Sequence, residues 1–276
     1  MPALTDIKSP IKGLVLADSG MGKTGMLWSL ADAGFKLKIY DADNGSGVLN
    51  AAMRGNPKIS NIEVNVFTNK LKANAQGFPV TNGKPTAWAD FLSALNKWPD
   101  SPTGQGIQDW GPDTVAVIDT FSRLGGHALL AAQALENKMG KQPEIQHYGT
   151  AMAQLEGTLA NLYGDDVKCH VLVLTHVDYL KNELGTMFGL PMSLGEKLSP
   201  KVPSYFNTML ALKRTGKNTI LSTKPTAMVQ TKVESFDTCK DEYIIISEGK
   251  GRPGLAEFFA DSGWPEPAAS KLKMVQ

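Results

Sequence analysis

The chain has only two cysteines in 276 residues, Cys169 and Cys239. That excludes a disulfide scaffold and a cysteine-built metal cluster, and it fits a reducing compartment. Charge of one sign is also missing: 28 Lys and Arg stand against 27 Asp and Glu, a net of +1. No overall basicity marks a nucleic-acid binder, so any contact with DNA must come from a local patch. Arginine is scarce, with Arg54, Arg123, Arg214 and Arg252 scattered along the chain. A small-molecule kinase, which gathers several arginines in a lid over its phosphates, is therefore the weakest reading. No apolar run reaches about 18 residues, so no membrane span is expected. Pro2, Asp6 and Lys8 break any signal-peptide pattern, and the expected location is the cytoplasm. What remains is an ordinary globular composition, long enough for one large domain or two small ones.

Against this background one stretch stands out. Ile11 to Asp43 reads as strand, glycine-rich loop, helix, strand. The loop, Ala17-Asp18-Ser19-Gly20-Met21-Gly22-Lys23-Thr24, is a phosphate-binding P-loop in all but its first position, where Ala17 replaces glycine. Leu14, Val15 and Leu16 form the strand before it; Met26, Leu27, Leu30 and Ala31 give the next segment one apolar helical face. Backbone N–H groups from Ser19 to Gly25 at a helix N-terminus suit an anion. Gly20 and Gly22 allow the tight curl, Lys23 suits the β- and γ-phosphates of ATP, and the Thr24 hydroxyl suits Mg²⁺.

Three further strand ends carry polar residues. Leu37 to Tyr40 runs into Asp41-Ala42-Asp43-Asn44-Gly45, where Asp43 can polarise a water and Asp41 can do so or cap the loop; a plain solvated turn is the bland alternative. Thr114 to Asp119 is four apolar residues delivering a carboxylate, the pattern that places Asp119 on Mg²⁺ in a P-loop enzyme. Thr120 and Ser122 are candidates to cap the next helix instead. Val171 to His176 is a third such strand, and Thr175 and His176 either sense the γ-phosphate or form local hydrogen bonds. Cys169 and His170 fall at its far end and are discounted as nucleophile or ligand.

Elsewhere, Ile62, Val64 and Val66 alternate as a half-buried strand, and Asn69 to Pro85 reads as an exposed connection or hairpin. Trp88, Phe91, Leu92, Leu95 and Trp98 read as one amphipathic helix. Ile145, Tyr148, Met152, Leu155, Leu159 and Leu162 form a second packing stripe, with His147 beside it as a surface histidine. Residues 177–203 read as a long irregular loop. There Met187 and Phe188 can insert between bases and Lys181, Lys197 and Lys201 can meet phosphates, or the apolar residues simply fold onto the domain. Three strands are expected over Asn207–Lys213, Asn218–Thr223 and Ala227–Val233, a fourth at Tyr243–Ser247, and a short helix over Leu255–Trp264. The expected organisation is an entry arm at 1–10, one domain at 11–264 and a loose tail at 265–276.

The order of these motifs resembles the RecA-like ATPase core, and most closely the small phage-encoded RecA-like ATPases of recombination and single-strand annealing, over about residues 11 to 235. The resemblance implies an α/β fold with a mostly parallel sheet and a C-terminal antiparallel meander. It implies ATP and Mg²⁺, with Lys23 and Thr24 on the phosphates and metal, Asp119 on the metal, and Asp43 activating the attacking water where the family has glutamate. His176 stands where the family often has a glutamine that couples the γ-phosphate to DNA-binding loops, here residues 177–203. Lys232 matches a lysine that reaches across a subunit interface, with Lys224 as its competitor. The implied partners are single-stranded DNA, further copies of the chain in a filament or ring, and a phage annealing or single-strand-binding protein. The rival reading is a nucleotide-gated interaction module, such as a helicase loader or packaging accessory, with weak turnover.

Overall fold

The computed structural model describes residues 9–267, apart from 74, 76, 78, 196, 235 and 236. Most of the expected arm at 1–10 and tail at 265–276 lies outside the described residues.

The chain opens on β1 (Lys12–Leu16), then the P-loop, a 3₁₀ turn (Gly25–Leu27) and α1 (Trp28–Ala33). Gly34 stops α1 at φ 108°, a left-handed conformation that costs glycine nothing. β2 (Lys36–Asp41), α2 (Gly47–Ala52) and β3 (Ile62–Val66) follow. Asn69 to Pro85 holds a hairpin, β4 (Leu71–Ala73) and β5 (Pro79–Thr81). Next come α3 (Ala87–Asn96), β6 (Thr114–Asp119), α4 (Phe121–Leu135), α5 (Ile145–Tyr163) and β7 (His170–Thr175). A second hairpin, β8 (Val177–Lys181) and β9 (Met187–Pro191), precedes β10 (Thr208–Thr215), β11 (Asn218–Ser222), β12 (Glu242–Ser247), β13 (Lys250–Gly251) and α6 (Gly254–Asp261).

Nine strands form one sheet in the order β13-β12-β11-β10-β1-β7-β6-β2-β3. From β10 to β3 all neighbours are parallel, and β11 to β13 are antiparallel. The mixed α/β fold with a mostly parallel sheet and a C-terminal antiparallel edge is that of a P-loop NTPase core. β1, β6 and β7 are buried along their whole length, with polar side chains only at their ends, because helices cover both faces. Along β1, Leu14 and Leu16 join the core under α3, α4 and α5, while Val15 joins the core under α1 and α6. β6 and β7 divide in the same way, with Ile118 and Val173 on one face and Val117 and Leu172 on the other. Parallel pairing brings the C-terminal ends of β1, β7, β6 and β2 to one edge of the sheet, where the P-loop, the turn after Asp41, Asp119 and His176 sit.

Several expectations change. Residues 177–203 are less irregular than their glycines and prolines suggest, because β8 and β9 pair from Val177–Pro191 to Lys181–Met187. Gly189 permits this pairing: a Cβ there would lie 2.6 Å from Val177 and 2.9 Å from Val229. Ala227–Val233 is not a strand; it makes only isolated bridges, Val229 to Gly189 and Lys232 to Met209, so the third meander strand is β12. The α5 stripe packs only from Ala151 onward, for Ile145 is 89% exposed. His147 is buried rather than on the surface. Its Nδ1 accepts the Glu144 N–H at 2.8 Å and its Nε2 lies 3.1 Å from Glu136, which closes the α4–α5 connection. Among the described residues no helix is long and apolar enough to cross a membrane.

Candidate active site

The P-loop leaves β1 still hydrogen-bonded to β7, with Ala17 N–H donating to Thr175 at 3.2 Å. Ala17 is buried in the core, where its methyl group is accommodated without disturbing the turn beyond it. That turn depends on Gly20 (φ 74°) and Gly22 (φ 86°). At Gly22 a Cβ would also sit 2.7 Å from Ile246 Cδ1 on β12, a contact that a shift of that side-chain end can relieve, so the positive φ is what calls for glycine. Lys23, 6% exposed, folds back so that Nζ donates to the carbonyls of Ala17 (2.9 Å) and Asp18 (3.0 Å). Burial lowers its pKa, opposed by the charges of Asp119, Asp43 and Asp18.

Asp119 arrives from the buried end of β6. Its Oδ2 accepts the Thr24 hydroxyl at 2.5 Å, while its Oδ1 is buried with no partner among the described residues. Burial pushes its pKa up to about 6, with the Thr24 hydrogen bond and Lys23 opposing and Asp41 and Asp43 adding to the rise. An orphaned buried carboxylate oxygen beside a hydroxyl is a costly arrangement unless a cation completes it. All-oxygen donors of this kind fit Mg²⁺, so Thr24 and Asp119 are the residues that would hold it. The Asp119–Thr120 peptide is cis.

The two acids after β2 divide their work. Asp41 is fully buried and accepts N–H groups from Asp43 (3.0 Å), Gly45 (3.2 Å) and Ser46 (2.9 Å). It caps the loop and is spent on it. Asp43 is thereby presented to the cleft, where its Oδ1 accepts Arg123 Nε at 2.7 Å and its Oδ2 accepts the Thr120 hydroxyl at 3.3 Å. Thr120 occupies the N-cap position of α4 but makes no side-chain cap; its hydroxyl serves Asp43 instead. Ser122 donates to Thr120 at 3.2 Å and lies 2.8 Å from His176 Nδ1. The donors run consistently from His176 through Ser122 and Thr120 to Asp43 when the imidazole carries its proton on Nδ1. Burial, reinforced by Lys23, lowers the His176 pKa and favours that neutral ring.

Lys23, Thr24, Asp43, Asp119 and His176 thus line one cleft of about 360 Å³, together with Ser19, Gly20, Gly22 and Gly25 of the loop and with Val48 and Ile246 at its apolar walls. Met21 packs against the core below α1 instead. Thr175 does not face the cleft: its hydroxyl donates to the Met192 carbonyl at 2.8 Å, and Met192 N–H returns to His176 at 2.8 Å. These bonds fasten the end of the second hairpin to the tip of β7, and Tyr179 on that hairpin donates to Asp18 at 3.3 Å. Lys232 lies away from the cleft, with Nζ on the Pro203 carbonyl at 2.9 Å, and Lys224 pairs with Asp241 at 3.5 Å. Met187 is exposed and Phe188 half-buried on β9, Lys181 and Lys197 are exposed, and Lys201 is paired with Glu156 at 3.1 Å. Arg123, Ser122 and Ile246 carry no motif of their own. Arg123 was within reach of sequence reasoning, one turn into the helix after Asp119, whereas Ile246 is brought in by long-range strand order alone.

Residues 9–234 match the family model described as AAA domain. The chain belongs to that AAA-domain family. Comparison with characterised proteins finds no match to it. The family assignment makes the cleft that of a nucleotide-binding domain of the NTP-hydrolysing kind, with the P-loop as its phosphate cradle. β12, whose Ile246 closes over Gly22, lies beyond the matched segment of the AAA domain, so that wall of the cleft is supplied by sequence outside it.

Proposed function

We propose that this chain is a RecA-like ATPase that acts on single-stranded DNA in phage recombination or annealing and works as a homo-oligomer, in the company of an annealing or single-strand-binding protein. The observation that carries the ATPase reading is the convergence of Lys23, Thr24, Asp119, Asp43 and His176 on one cleft from four strand ends. The loop N–H groups and Lys23 bind the phosphates, for which Lys23 exchanges its two carbonyl partners. Mg²⁺ held at Thr24 and Asp119 would neutralise charge on the β- and γ-phosphates. Asp43 takes a proton from water as the water oxygen bonds to the γ-phosphorus, and the bond to the ADP oxygen breaks with its electron pair leaving on ADP. His176, joined to Asp43 through Ser122 and Thr120 and to the second hairpin through Met192, is the group through which phosphate loss reaches residues 177–203. The DNA reading draws on that attachment, on the motif order, and on the hairpin's exposed Leu184, Met187 and Lys181.

ATP turnover with and without single-stranded DNA, paired with particle size in an ATP analogue, tests the proposal. Stimulated turnover with assembly is expected. Nucleotide binding without stimulation would instead favour the gated interaction module. Lys232→Ala is expected to lower turnover while sparing nucleotide binding if the lysine acts across an interface; unchanged turnover removes it from the site.

A further inference from the structure

We propose that Arg123 is the positioning residue of the water-activating carboxylate: it holds Asp43 in the orientation from which that side chain accepts the proton. The inference rests on the reading of Asp43 given above. Asp41 fixes the backbone of the loop but leaves the Asp43 side chain its own two torsions. Those torsions are set by two donors from one short segment, Thr120 on Oδ2 and Arg123 Nε on Oδ1. Both donors belong to the start of α4, which follows directly on Asp119. Its first turn is itself anchored, with the Thr120 carbonyl accepting the N–H groups of Arg123 (3.1 Å) and Leu124 (3.2 Å). The donors that hold the water-activating acid thus follow within four residues of the acid suited to Mg²⁺, so the positions of the two carboxylates are coupled through the junction of β6 and α4.

Chain chemistry adds a reason for such a clamp. Aspartate is one methylene shorter than glutamate, so it cannot correct a misplaced backbone by reaching further. A displacement of about 1 Å in a reacting group can cost about 100-fold in rate. The Arg123 side chain is 68% exposed, and an ion pair so open to water contributes little to stability. Its effect is therefore expected on turnover and not on folding. The donor is Nε, a position along the side chain where lysine carries a carbon, which makes lysine a poor replacement.

The test compares Arg123→Ala, Arg123→Lys, Asp43→Asn and the Asp43→Asn/Arg123→Ala double variant, with Lys23→Ala as the control for the nucleotide site. Arg123→Ala is expected to lower kcat by between about 10- and 100-fold. KM, the dissociation constant for a fluorescent ATP analogue and the melting temperature should stay nearly unchanged. Added guanidinium ion should restore part of the lost rate, Arg123→Lys should retain only a fraction of it, and Arg123→Ala should cost nothing further in the Asp43→Asn background. Higher turnover in Arg123→Ala would make the ion pair a brake and overturn the proposal. Unchanged turnover, or a full additional loss in the double variant, would also overturn it. If Asp43→Asn is inactive while Arg123→Ala is normal, only the role of Arg123 falls. If Asp43→Asn is fully active while Lys23→Ala is not, the water-activating role of Asp43 falls and this proposal with it.

Discussion

Two lysines bracket the first strand, and both are buried. Lys12 begins β1 and is 5% exposed; Lys23 follows its far end and is 6% exposed. Each donates to two backbone carbonyls, Lys12 to Val167 (2.8 Å) and Cys169 (3.2 Å), Lys23 to Ala17 and Asp18. Burial lowers the pKa of both, to about 8 for Lys12. The difference lies in what surrounds them. Around Lys12 the neighbours are closed: Ile11 N–H is taken by His170, Lys12 N–H by Asn207, and the Cys169 thiol is pushed up to about 11 by burial and is inert. Around Lys23 two carboxylates, Asp43 and Asp119, face an open cleft, and Asp119 has an oxygen without a partner among the described residues. A buried charge is therefore no mark of a site by itself. What marks one is a buried charge whose complement is unfinished.

Exchanging the two lysines in turn is the most severe way to break this comparison. Lys23→Ala should reduce ATP turnover on the order of 10³-fold or more, because the charge that meets the phosphates is gone. Lys12→Met should leave turnover within about twofold, read in the same assay. Its effect belongs to stability and to pH. The folded pKa of about 8 lies below the ordinary 10.5, so between those values the unfolded chain holds a proton that the native chain does not. Stability then rises with pH across that window, and the penalty is full below pH 8. Denaturant unfolding from pH 7.5 to 10.5 should show the natural chain gaining roughly 3 kcal/mol relative to Lys12→Met. Parallel curves would mean that Lys12 is not held in a penalised charged state.

Asp119→Asn sharpens the contrast at the Lys23 end. The Asp119 carboxyl, at about 6, is raised above the ordinary carboxylate range, so the native state holds an extra proton between about pH 4 and 6 and loses stability as pH rises through that range. An amide removes that loss. The variant should be more stable by roughly 1–3 kcal/mol at pH 7 while losing Mg²⁺-dependent nucleotide binding, because the unfinished oxygen is what the cation needs. Calorimetry and nucleotide titration in the same buffer check both halves.

Most of this end of the molecule was legible in the sequence, because P-loop chemistry is local. Gly20, Gly22, Lys23 and Thr24 are adjacent, and apolar runs ending in Asp119 or His176 announce buried strands whose tips must meet. The residues that finish the site were not legible in the same way. Arg123 reads as an ordinary helix residue and Ser122 as a helix cap until Asp43 is placed opposite them, and Ile246 depends on β12 returning beside β11. His147 failed for a related reason, since its partners Glu136 and Glu144 become neighbours only when the α4–α5 connection closes. Residues 177–203 were misread because glycine and proline mark turns without saying whether the segments between them pair.

The smallest effect concerns a side-chain bond that joins the second hairpin to the P-loop. Tyr179 donates to Asp18 at 3.3 Å, and both groups meet water. Burial raises the Tyr179 pKa and the Asp18 charge raises it further, so the phenol stays a donor at neutral pH. Tyr179→Phe removes the bond but keeps the ring, and an exposed bond of this length should cost no more than about 0.5 kcal/mol. The melting temperature should move by less than about 2 °C. Local opening is the sensitive readout, since amide exchange reports segments whose stability is well below that of the whole fold. Exchange at Val177–Pro191 should quicken in the variant while exchange around Lys12 stays unchanged. If both ends respond equally, the P-loop end is no looser than the closed end, and the distinction drawn between the two lysines fails in its dynamic form.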